Sequence, residues 1–234
     1  MKLTVGGLFS GIGGFELGFQ RAGMEIRWMV EIDPFCQKVL AKHWPDVERY
    51  ADVRECGRHN LQPVDVICGG FPCQPHSVAG KQRGAADDRD LWPEYRRIIA
   101  ELRPRWVVGE NVPGIRATIY NRVLSDLEGM GYFCFAPEIP AIALDAYHVR
   151  YRIFFVAHSA SEGLEGRLQS TTSRIWASQH PTNPGWEPEP AVARVADGIP
   201  NRVDRLRALG NAVVPQVAEW IGRRIVEVEE RGEV

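Results

Sequence analysis

Leu3-Thr4-Val5-Gly6-Gly7-Leu8-Phe9-Ser10-Gly11-Ile12-Gly13-Gly14 is an apolar run that passes directly into a glycine-rich turn. The run predicts a buried strand, and the apolar residues after the turn predict an amphipathic helix that ends at Gly23. Glycines at such a turn let a ligand approach the backbone and the N-terminus of the helix, where free N–H groups favour a carboxylate or phosphate. This order predicts an open α/β sheet that binds a ligand at the end of its first strand.

A second predicted strand, Glu25 to Val30, ends at an acidic residue, Glu31, which follows Gly11 by 20 positions. An acidic side chain at this place suits the two hydroxyls of a ribose, so the pattern predicts a nucleoside-containing cofactor. Glu16 stands where the third glycine of a dinucleotide-binding turn would be, which weakens a dinucleotide interpretation.

Another apolar run, Val64 to Cys68, leads into Gly69-Gly70-Phe71-Pro72-Cys73-Gln74-Pro75-His76-Ser77. The prolines on both sides of Cys73 restrict the backbone and exclude a helix, so the thiol lies in a stiff loop at a strand end. Such a thiol can be a nucleophile, although a buried structural cysteine is the alternative.

The run that begins at Arg105 ends in Glu110-Asn111-Val112-Pro113-Gly114, a carboxylate and an amide before a turn. If this strand neighbours the one before Cys73, both strand ends converge on one pocket. The alternative for Glu110 is an ordinary surface glutamate at a strand end.

The composition is that of an ordinary globular protein with 234 residues, 44% hydrophobic and 25% charged. No long apolar run or signal sequence is found, so we expect a cytoplasmic protein without a membrane span. Five cysteines without a C-x-x-C pair indicate free thiols and no metal site. The net charge of −2 gives no general attraction to nucleic acid. DNA contacts would need local basic patches, and two exist: Lys81, Arg83 and Arg89, and Arg202, Arg205 and Arg207.

The remaining pattern predicts further helices and strands. Helices are expected from the acidic run at Asp87 through about Leu102, near 118–130, and up to about Glu230. An edge strand is expected over 132–139 and a buried strand over 153–157, before which Arg150 and Arg152 should point the same way. Val217, Ile221, Ile225 and Val228 form one stripe of the last helix.

Three motifs together resemble the DNA cytosine-5 methyltransferases. Pro72-Cys73-Gln74 and Glu110-Asn111-Val112 resemble the cysteine and glutamate motifs of this family, and Phe9 to Phe15 resembles its S-adenosylmethionine loop. The segment 202–215 is similar to the final family motif. The resemblance covers about residues 3–157 and 201–225, and it implies a Rossmann-like methyltransferase sheet with helices on both faces and a small irregular insertion.

The resemblance also implies which residues contact each molecule. Glu31 would contact the ribose, Asp52 and Val53 the adenine, and Leu91 would pack on the adenine. A simple turn residue is the alternative for Asp52. The implied cofactor residues are Phe9, Ser10, Gly11, Gly13, Gly14, Glu31, Ile32, Asp52, Val53, Gly70, Pro72, Leu91, Asn211 and Val213. The implied substrate contacts are Gln74, Ser77, Lys81 and Arg83.

For catalysis, the resemblance implies that the target cytosine leaves the duplex and that Cys73 adds to its carbon 6. Glu110 would hold ring nitrogen 3 and the amino group, which requires a raised carboxyl pKa if it carries the proton. Arg150 and Arg152 match paired family arginines. His148 replaces the usual glutamine there, and His76 also stands at an unusual position.

The implied organisation is a catalytic domain over 1–158, a reduced target recognition insertion over 159–200, and a C-terminal segment over 201–234 that completes the catalytic domain. The insertion is rich in Gly, Pro, Ser and Thr, so we expect a reader of a short site or a nearly nonspecific enzyme of the phage type. The expected partner is double-stranded DNA, and the expected state is a monomer, in the host cytoplasm if a phage encodes it. The alternatives are a tRNA cytosine-5 methyltransferase, a catalytically silent DNA-binding relative and, more distantly, a dinucleotide-dependent oxidoreductase.

Overall fold

The computed structural model describes residues 2–72, 90–144, 146, 148–159 and 202–231, with only the backbone of Arg202. Its strands are β1 Thr4–Leu8, β2 Glu25–Val30, β3 Glu48–Tyr50, β4 Val66–Gly69, β5 Trp106–Asn111, β6 Tyr132–Phe135, β7 Glu138–Pro140 and β8 Tyr151–Ser159. Its helices are α1 Gly14–Arg21, α2 Pro34–His43, α3 Trp92–Leu102, α4 Tyr120–Gly129, α5 Arg202–Asn211 and α6 Pro215–Glu230.

The strands form one eight-stranded sheet in the order β3-β2-β1-β4-β5-β8-β6, and β7 also pairs with β8. Strands β1 to β5 are parallel, whereas β8 runs antiparallel to β5, β6 and β7. The chain order reverses between β1 and β4, and the crevice at such a point is where open α/β sheets bind ligands.

Two apolar cores cover the two faces of the sheet, because alternate residues of a buried strand point to opposite faces. Val66 and Cys68 of β4 belong to the core that α1, α2 and α6 complete. Ile67, between them, belongs to the core formed with α3 and α4. The predicted α/β sheet with helices on both faces is therefore confirmed.

Helices α1 and α6 pack closely through small residues. A Cβ atom on Gly18 would lie 2.5 Å from both Ala218 Cβ and the Pro215 carbonyl oxygen, and one on Gly222 would lie 2.8 Å from Phe19. The predicted apolar stripe of α6 is confirmed, since all four of its residues are buried. The C-terminal helix thus covers the first helix of the chain.

Helix α3 begins later than the sequence predicted. Its first residue is Trp92, whose N–H is accepted by the Asp90 carboxylate at 3.2 Å, so Asp90 precedes the helix. Pro93 suits the first turn because its fixed φ matches a helix and no N–H is needed there. Residues 87–89 lie outside the described part of the chain.

The predicted edge strand over 132–139 is divided into β6 and β7. Both pair with β8 in one continuous register, from Phe135 opposite Val156 to Glu138 opposite Ile153. Pro137, between the two strands, has no N–H to donate, although its carbonyl accepts the Phe154 N–H at 2.9 Å.

Helix α5 was not predicted. The sequence suggested only that Gly210-Asn211 enters the last helix, but Asn211 is the final residue of a ten-residue helix. Polar and charged residues dominate α5 and hide its periodicity, because Val203, Leu206 and Leu209 are all exposed. Among the described helices, none combines the length and apolar character needed to span a bilayer.

Candidate active site

A cavity of about 530 Å³ opens beyond the carboxyl ends of the five parallel strands. Its size is typical of a small-molecule site. Twelve of the residues proposed from the sequence line it: Phe9, Gly11, Glu31, Ile32, Asp52, Val53, Gly70, Pro72, Leu91, Glu110, Arg152 and Asn211. Residues from both ends of the chain therefore meet in one cavity.

Five proposed residues belong to the surrounding structure and do not line the cavity: Ser10, Gly13, Gly14, Arg150 and Val213. Gly14 lies against the C-terminal segment, since a Cβ there would meet the Val213 carbonyl oxygen at 2.3 Å. The Ser10 hydroxyl is buried. Cys73, Gln74, Ser77, Lys81 and Arg83 lie outside the described residues, as does His76.

The glycine-rich turn is held by Glu31. One carboxylate oxygen of Glu31 accepts the Gly11 N–H at 2.6 Å, and the other accepts the Asp33 N–H at 2.7 Å. Phe9, Gly11 and Gly13 all have positive φ, which turns the chain sharply toward α1. A carboxylate has about four acceptor positions, so Glu31 retains capacity for two ribose hydroxyls.

Asp52 acts as the turn residue that the sequence left open, and it also lines the cavity. Its carboxylate accepts the Arg54 N–H at 3.0 Å and forms an ion pair with the Arg54 guanidinium at 2.6 Å. These hydrogen bonds from Arg54 lower the pKa of Asp52. The side chain is therefore an ionised acceptor at the cavity wall.

The loop after β4 is anchored to the end of β5. Asn111 donates a side-chain N–H to the Phe71 carbonyl at 2.9 Å. The Phe71 ring is buried and lies within 6.3 Å of the rings of Trp92, Tyr95 and Phe155. Pro72, one residue before Cys73, is thereby fixed at the cavity edge.

Glu110 points into the same corner of the cavity and is only 7% exposed. A Cβ atom on Gly70 would lie 3.1 Å from its carboxylate, so the glycine leaves room for it. Burial raises the pKa of Glu110 to about 7, and the charges of Arg152 and Arg150 partly oppose that rise. Arg152 Nε lies 2.8 Å from a Glu110 oxygen. The carboxyl group is thus poised to gain or lose a proton near neutral pH.

Arg150 is not part of a strand, which corrects the expectation that strand alternation orients it with Arg152. Its φ is 28°, and β8 begins one residue later. Its guanidinium donates to the carbonyl oxygens of Gly210 and Ala212 at 2.9 and 2.7 Å. Arg150 therefore holds the α5–α6 connection, while Arg152 forms an ion pair with Glu110.

The sequence analysis assigned no role in this site to Asn111, Asp33 or Arg207, although it named Asn111 at a strand end and Arg207 in a basic patch. Arg207 of α5 contacts the Asp33 carboxylate at 2.6 Å, while Asp33 also caps α2 through the N–H groups of Phe35 and Cys36. The Asp33-Pro34 pair is a helix-start signal that could have identified Asp33 as the cap of α2. In the described part of the chain, no cluster of acidic, His or Cys residues could hold a metal ion.

Comparisons with known proteins point to one family. The family model described as "C-5 cytosine-specific DNA methylase" matches residues 3–197. The chain is 36% identical over 161 residues to the Type II methyltransferase M.FnuDI of Fusobacterium nucleatum, with 67% of this chain and 46% of that protein covered. It is 33% identical over 164 residues to the Type II methyltransferase M.NgoMIV of Neisseria gonorrhoeae, with 67% and 52% covered. The chain thus spans about half the length of these relatives.

Solved structures agree in fold. A prophage-encoded protein of Escherichia coli, described as a DNA modification methyltransferase, superposes with a TM-score of 0.58 and 30% identity, over 70% of this chain and 50% of that one. The Dnmt2 methyltransferase of S. pombe superposes with a TM-score of 0.60 over 69% of this chain and 52% of that one. At 18% identity, the second likeness supports the fold alone.

Proposed function

Because the chain belongs to the family of C-5 cytosine-specific DNA methylases, we propose that it transfers a methyl group from S-adenosylmethionine to carbon 5 of a cytosine in double-stranded DNA. The observation that carries the proposal is the corner formed by the ends of β4 and β5. There Glu110, with its raised pKa and its Arg152 partner, faces the loop that leads through Pro72 to Cys73.

The cavity fits the proposed cofactor. Its volume of about 530 Å³ suits a nucleoside-sized molecule, and Glu31 keeps acceptor capacity for a ribose. Phe9, Leu91 and Val53 provide apolar surface for an adenine ring. When bound, S-adenosylmethionine supplies a methyl group that a carbon nucleophile can take. Asn211 would close the cavity from the C-terminal side.

In the proposed mechanism, the Cys73 thiolate adds to carbon 6 of a cytosine swung out of the duplex. The electrons of the C5–C6 double bond then move between carbons 4 and 5, and those of the C4–N3 double bond move to nitrogen 3, which makes an enamine that is nucleophilic at carbon 5. Glu110, when protonated, gives its proton to nitrogen 3 and so makes carbon 6 a better acceptor. Carbon 5 would then take the methyl group as the bond between that group and the cofactor sulfur breaks. Loss of the carbon 5 proton to a base expels the Cys73 thiolate and restores the C5–C6 double bond, and the proton on nitrogen 3 returns to Glu110.

Arg152 would keep Glu110 in place while the carboxyl group changes its protonation state. Gln74, Ser77, Lys81 and Arg83 would contact the nucleotide and its phosphates. We also propose the division into a catalytic domain at 1–158, an insertion at 159–200 and a closing segment at 201–234. Action on DNA would place the protein in the cytoplasm, and we propose that it acts as a monomer.

The deciding experiment measures transfer of labelled methyl groups from S-adenosylmethionine to duplex DNA and, in parallel, to tRNA. We expect methylation of DNA, with the modified positions mapped by bisulfite sequencing. Cys73→Ala should abolish turnover and leave cofactor affinity largely intact, whereas Cys134→Ala, at a free cysteine on β6, should keep activity. Methylation of tRNA alone, or full activity in Cys73→Ala, would contradict the proposal.

A thermal unfolding assay tests the cofactor separately. A ligand that binds only the folded state at 100 times its Kd stabilises it by about 2.7 kcal/mol. We therefore expect S-adenosylmethionine and S-adenosylhomocysteine to raise Tm by several degrees and NADH to leave it unchanged. Protection by NADH instead would favour the oxidoreductase alternative.

A further inference from the structure

Glu16 is a buried acidic residue that the proposed mechanism does not use. It lies in the first turn of α1 and is only 1% exposed. Its carboxyl group lies between the helix and the sheet, beneath the glycine-rich turn. A buried carboxyl group without strong partners costs free energy, so its presence at this place calls for a physical reason.

The niche that holds this carboxyl group exists because Gly7 has no side chain. A Cβ atom on Gly7 would lie 2.0 Å from Glu16 Oε1 and 2.7 Å from Ser10 Oγ. The two oxygens therefore share the space above one backbone position of β1. Both are buried, and neither meets the geometry of a hydrogen bond to any described residue, so they are two close polar atoms without a hydrogen-bond partner.

Ser10 links this niche to the cavity. Its N–H donates to the Val30 carbonyl at 3.1 Å, and its carbonyl accepts the Gly13 N–H at 2.8 Å. The backbone of Ser10 thus joins β1, the end of β2 and the start of α1, and its hydroxyl is the part of the turn that faces Glu16. On the other side, Gly11 and Phe9 form the cavity wall. A shift of Ser10 would move that wall.

The surroundings of the Glu16 carboxyl group, mainly its burial, favour the neutral form of this group. Burial raises the pKa of Glu16 to about 7, the charge of Glu31 raises it further, and the Ser10 hydroxyl opposes the rise. The other titratable group that faces it is the Cys68 thiol of β4, whose pKa burial also raises, so it carries no charge at neutral pH. A neutral carboxyl group can both donate to and accept from a hydroxyl.

We propose that Glu16 is a positioning residue for the cofactor, which holds the Ser10 hydroxyl from beneath and so sets the place of the glycine-rich turn at the cavity wall. The inference rests on the proposed function for its ligand, S-adenosylmethionine. It makes Glu16 and Ser10 one unit, in which each residue matters for binding only while the other is present.

The test measures the Kd of S-adenosylmethionine by titration calorimetry, together with Tm, for four variants. Glu16→Gln keeps the shape and a polar end but cannot ionise, and Glu16→Leu keeps the bulk but loses the polar contact with the Ser10 hydroxyl. Ser10→Ala removes the partner, and the double variant carries Glu16→Leu and Ser10→Ala. Glu25→Gln, at a half-exposed side chain of β2, is the control.

We expect Glu16→Leu and Ser10→Ala each to weaken binding about fivefold to tenfold, because either change removes the polar contact between the two side chains. The double variant should be no weaker than either single one, because the two residues act as a pair. Glu16→Gln should bind within about threefold of the unmodified protein. Tm should stay constant or rise in Glu16→Leu, because an unsatisfied buried carboxyl group is replaced by an apolar side chain. If Glu16 only stabilised the fold, the affinity for S-adenosylmethionine would fall together with Tm. Weaker binding with an unchanged or higher Tm would therefore indicate a positioning role.

The pH profile gives an independent result. The Kd of the unmodified protein divided by that of Glu16→Gln cancels any titration of the ligand itself. We expect this ratio to stay near one below pH 6.5 and to fall about threefold by pH 8.5, because the Ser10 hydroxyl favours the ionised carboxylate and is then held more strongly. A flat ratio, additive losses in the double variant or unchanged affinity in Glu16→Leu would overturn the inference.

The control for the proposed function is the unmodified protein. If it binds S-adenosylmethionine and the variants behave alike, only the role of Glu16 fails. If the unmodified protein does not bind S-adenosylmethionine at all, the proposed function fails, and the role of Glu16 falls with it.

Discussion

Glu110 is subject to two opposing influences, burial that favours the neutral acid and two arginines that favour the anion. Because its pKa is about 7, we expect turnover to fall as the pH rises above 7 if the protonated acid is the active form. Glu110→Gln should lower kcat at least about 100-fold, the usual size of a lost proton-transfer group. Its residual activity should show no decline above pH 7. A variant that keeps full turnover would exclude Glu110 as the proton donor.

Arg152 sets the position of that decline. Its guanidinium, 2.8 Å from Glu110, lowers the pKa of the carboxyl group. Arg152→Met should therefore raise that pKa and move the decline of activity to higher pH, in addition to any loss of kcat. Arg116→Met removes an exposed pair with Glu138 and serves as the control, since an exposed pair contributes little. A decline that moves to lower pH would contradict the assignment.

The close approach of α1 and α6 leads to a prediction about stability. The new Cβ of Gly18→Ala would crowd the Pro215 carbonyl oxygen at 2.5 Å, and backbone atoms yield less readily than flexible side chains. We expect the free energy of unfolding to fall by about 1–3 kcal/mol, as overpacking typically costs. Gly129→Ala in α4, where no atom lies within 4 Å of the added Cβ, should be neutral or stabilising. If Gly18→Ala and Gly129→Ala change the free energy of unfolding in urea equally, α1 and α6 can move apart without cost.

Strands and helices with a clear hydrophobic period were predicted almost at their true ends, as β2 and α6 show. Elements whose ends depend on a single unusual residue, or that lack a buried stripe, were not predicted correctly. Pro137 divides an edge strand, a positive φ removes Arg150 from β8, and α5 lacks a buried stripe. These features depend on the partners a segment finds in space, which periodicity does not contain.

The candidate site also contains residues that the sequence predicts and residues that it does not. The strand ends that carry Glu31 and Glu110 were predictable, because parallel strands bring their carboxyl ends to one edge. The residues that support these strand ends were not predictable, since Asn111 and Arg207 act through contacts with residues 40 and 174 positions away in the sequence. Glu16 could have been noticed in the sequence, because it is a charged residue on the apolar side of a short helix.

The stability of the entire fold should depend on pH through three buried groups. Glu16 and Glu110 have pKa values of about 7 in the folded state against 4.5 in the unfolded chain, so the folded state binds two more protons between these values. His158, whose pKa burial lowers from 6.5 to about 4, makes the unfolded state bind one more proton. The net of one proton predicts that the free energy of unfolding falls by about 1.4 kcal/mol for each pH unit from 4.5 to 6.5.

Urea unfolding from pH 4.5 to 6.5 tests the net pH dependence of the stability and the contribution of each group. Glu16→Gln should make the stability nearly independent of pH, because the two remaining groups oppose each other. The double variant Glu16→Gln and Glu110→Gln should reverse the slope, so that stability rises with pH. A slope that both substitutions leave unchanged would contradict the assignment of these pKa values.

The contact between α1 and α6 also matters while the protein is being made. Residues 14–21 leave the ribosome about 200 residues before residues 215–230, which cover them. At 5–20 residues per second, the nascent chain spends roughly 10–40 s with the apolar side of its first helix uncovered. A chaperone that binds apolar segments of nascent chains would find its binding surface there, and synthesis arrested before α6 would leave an aggregation-prone intermediate instead of a smaller folded protein.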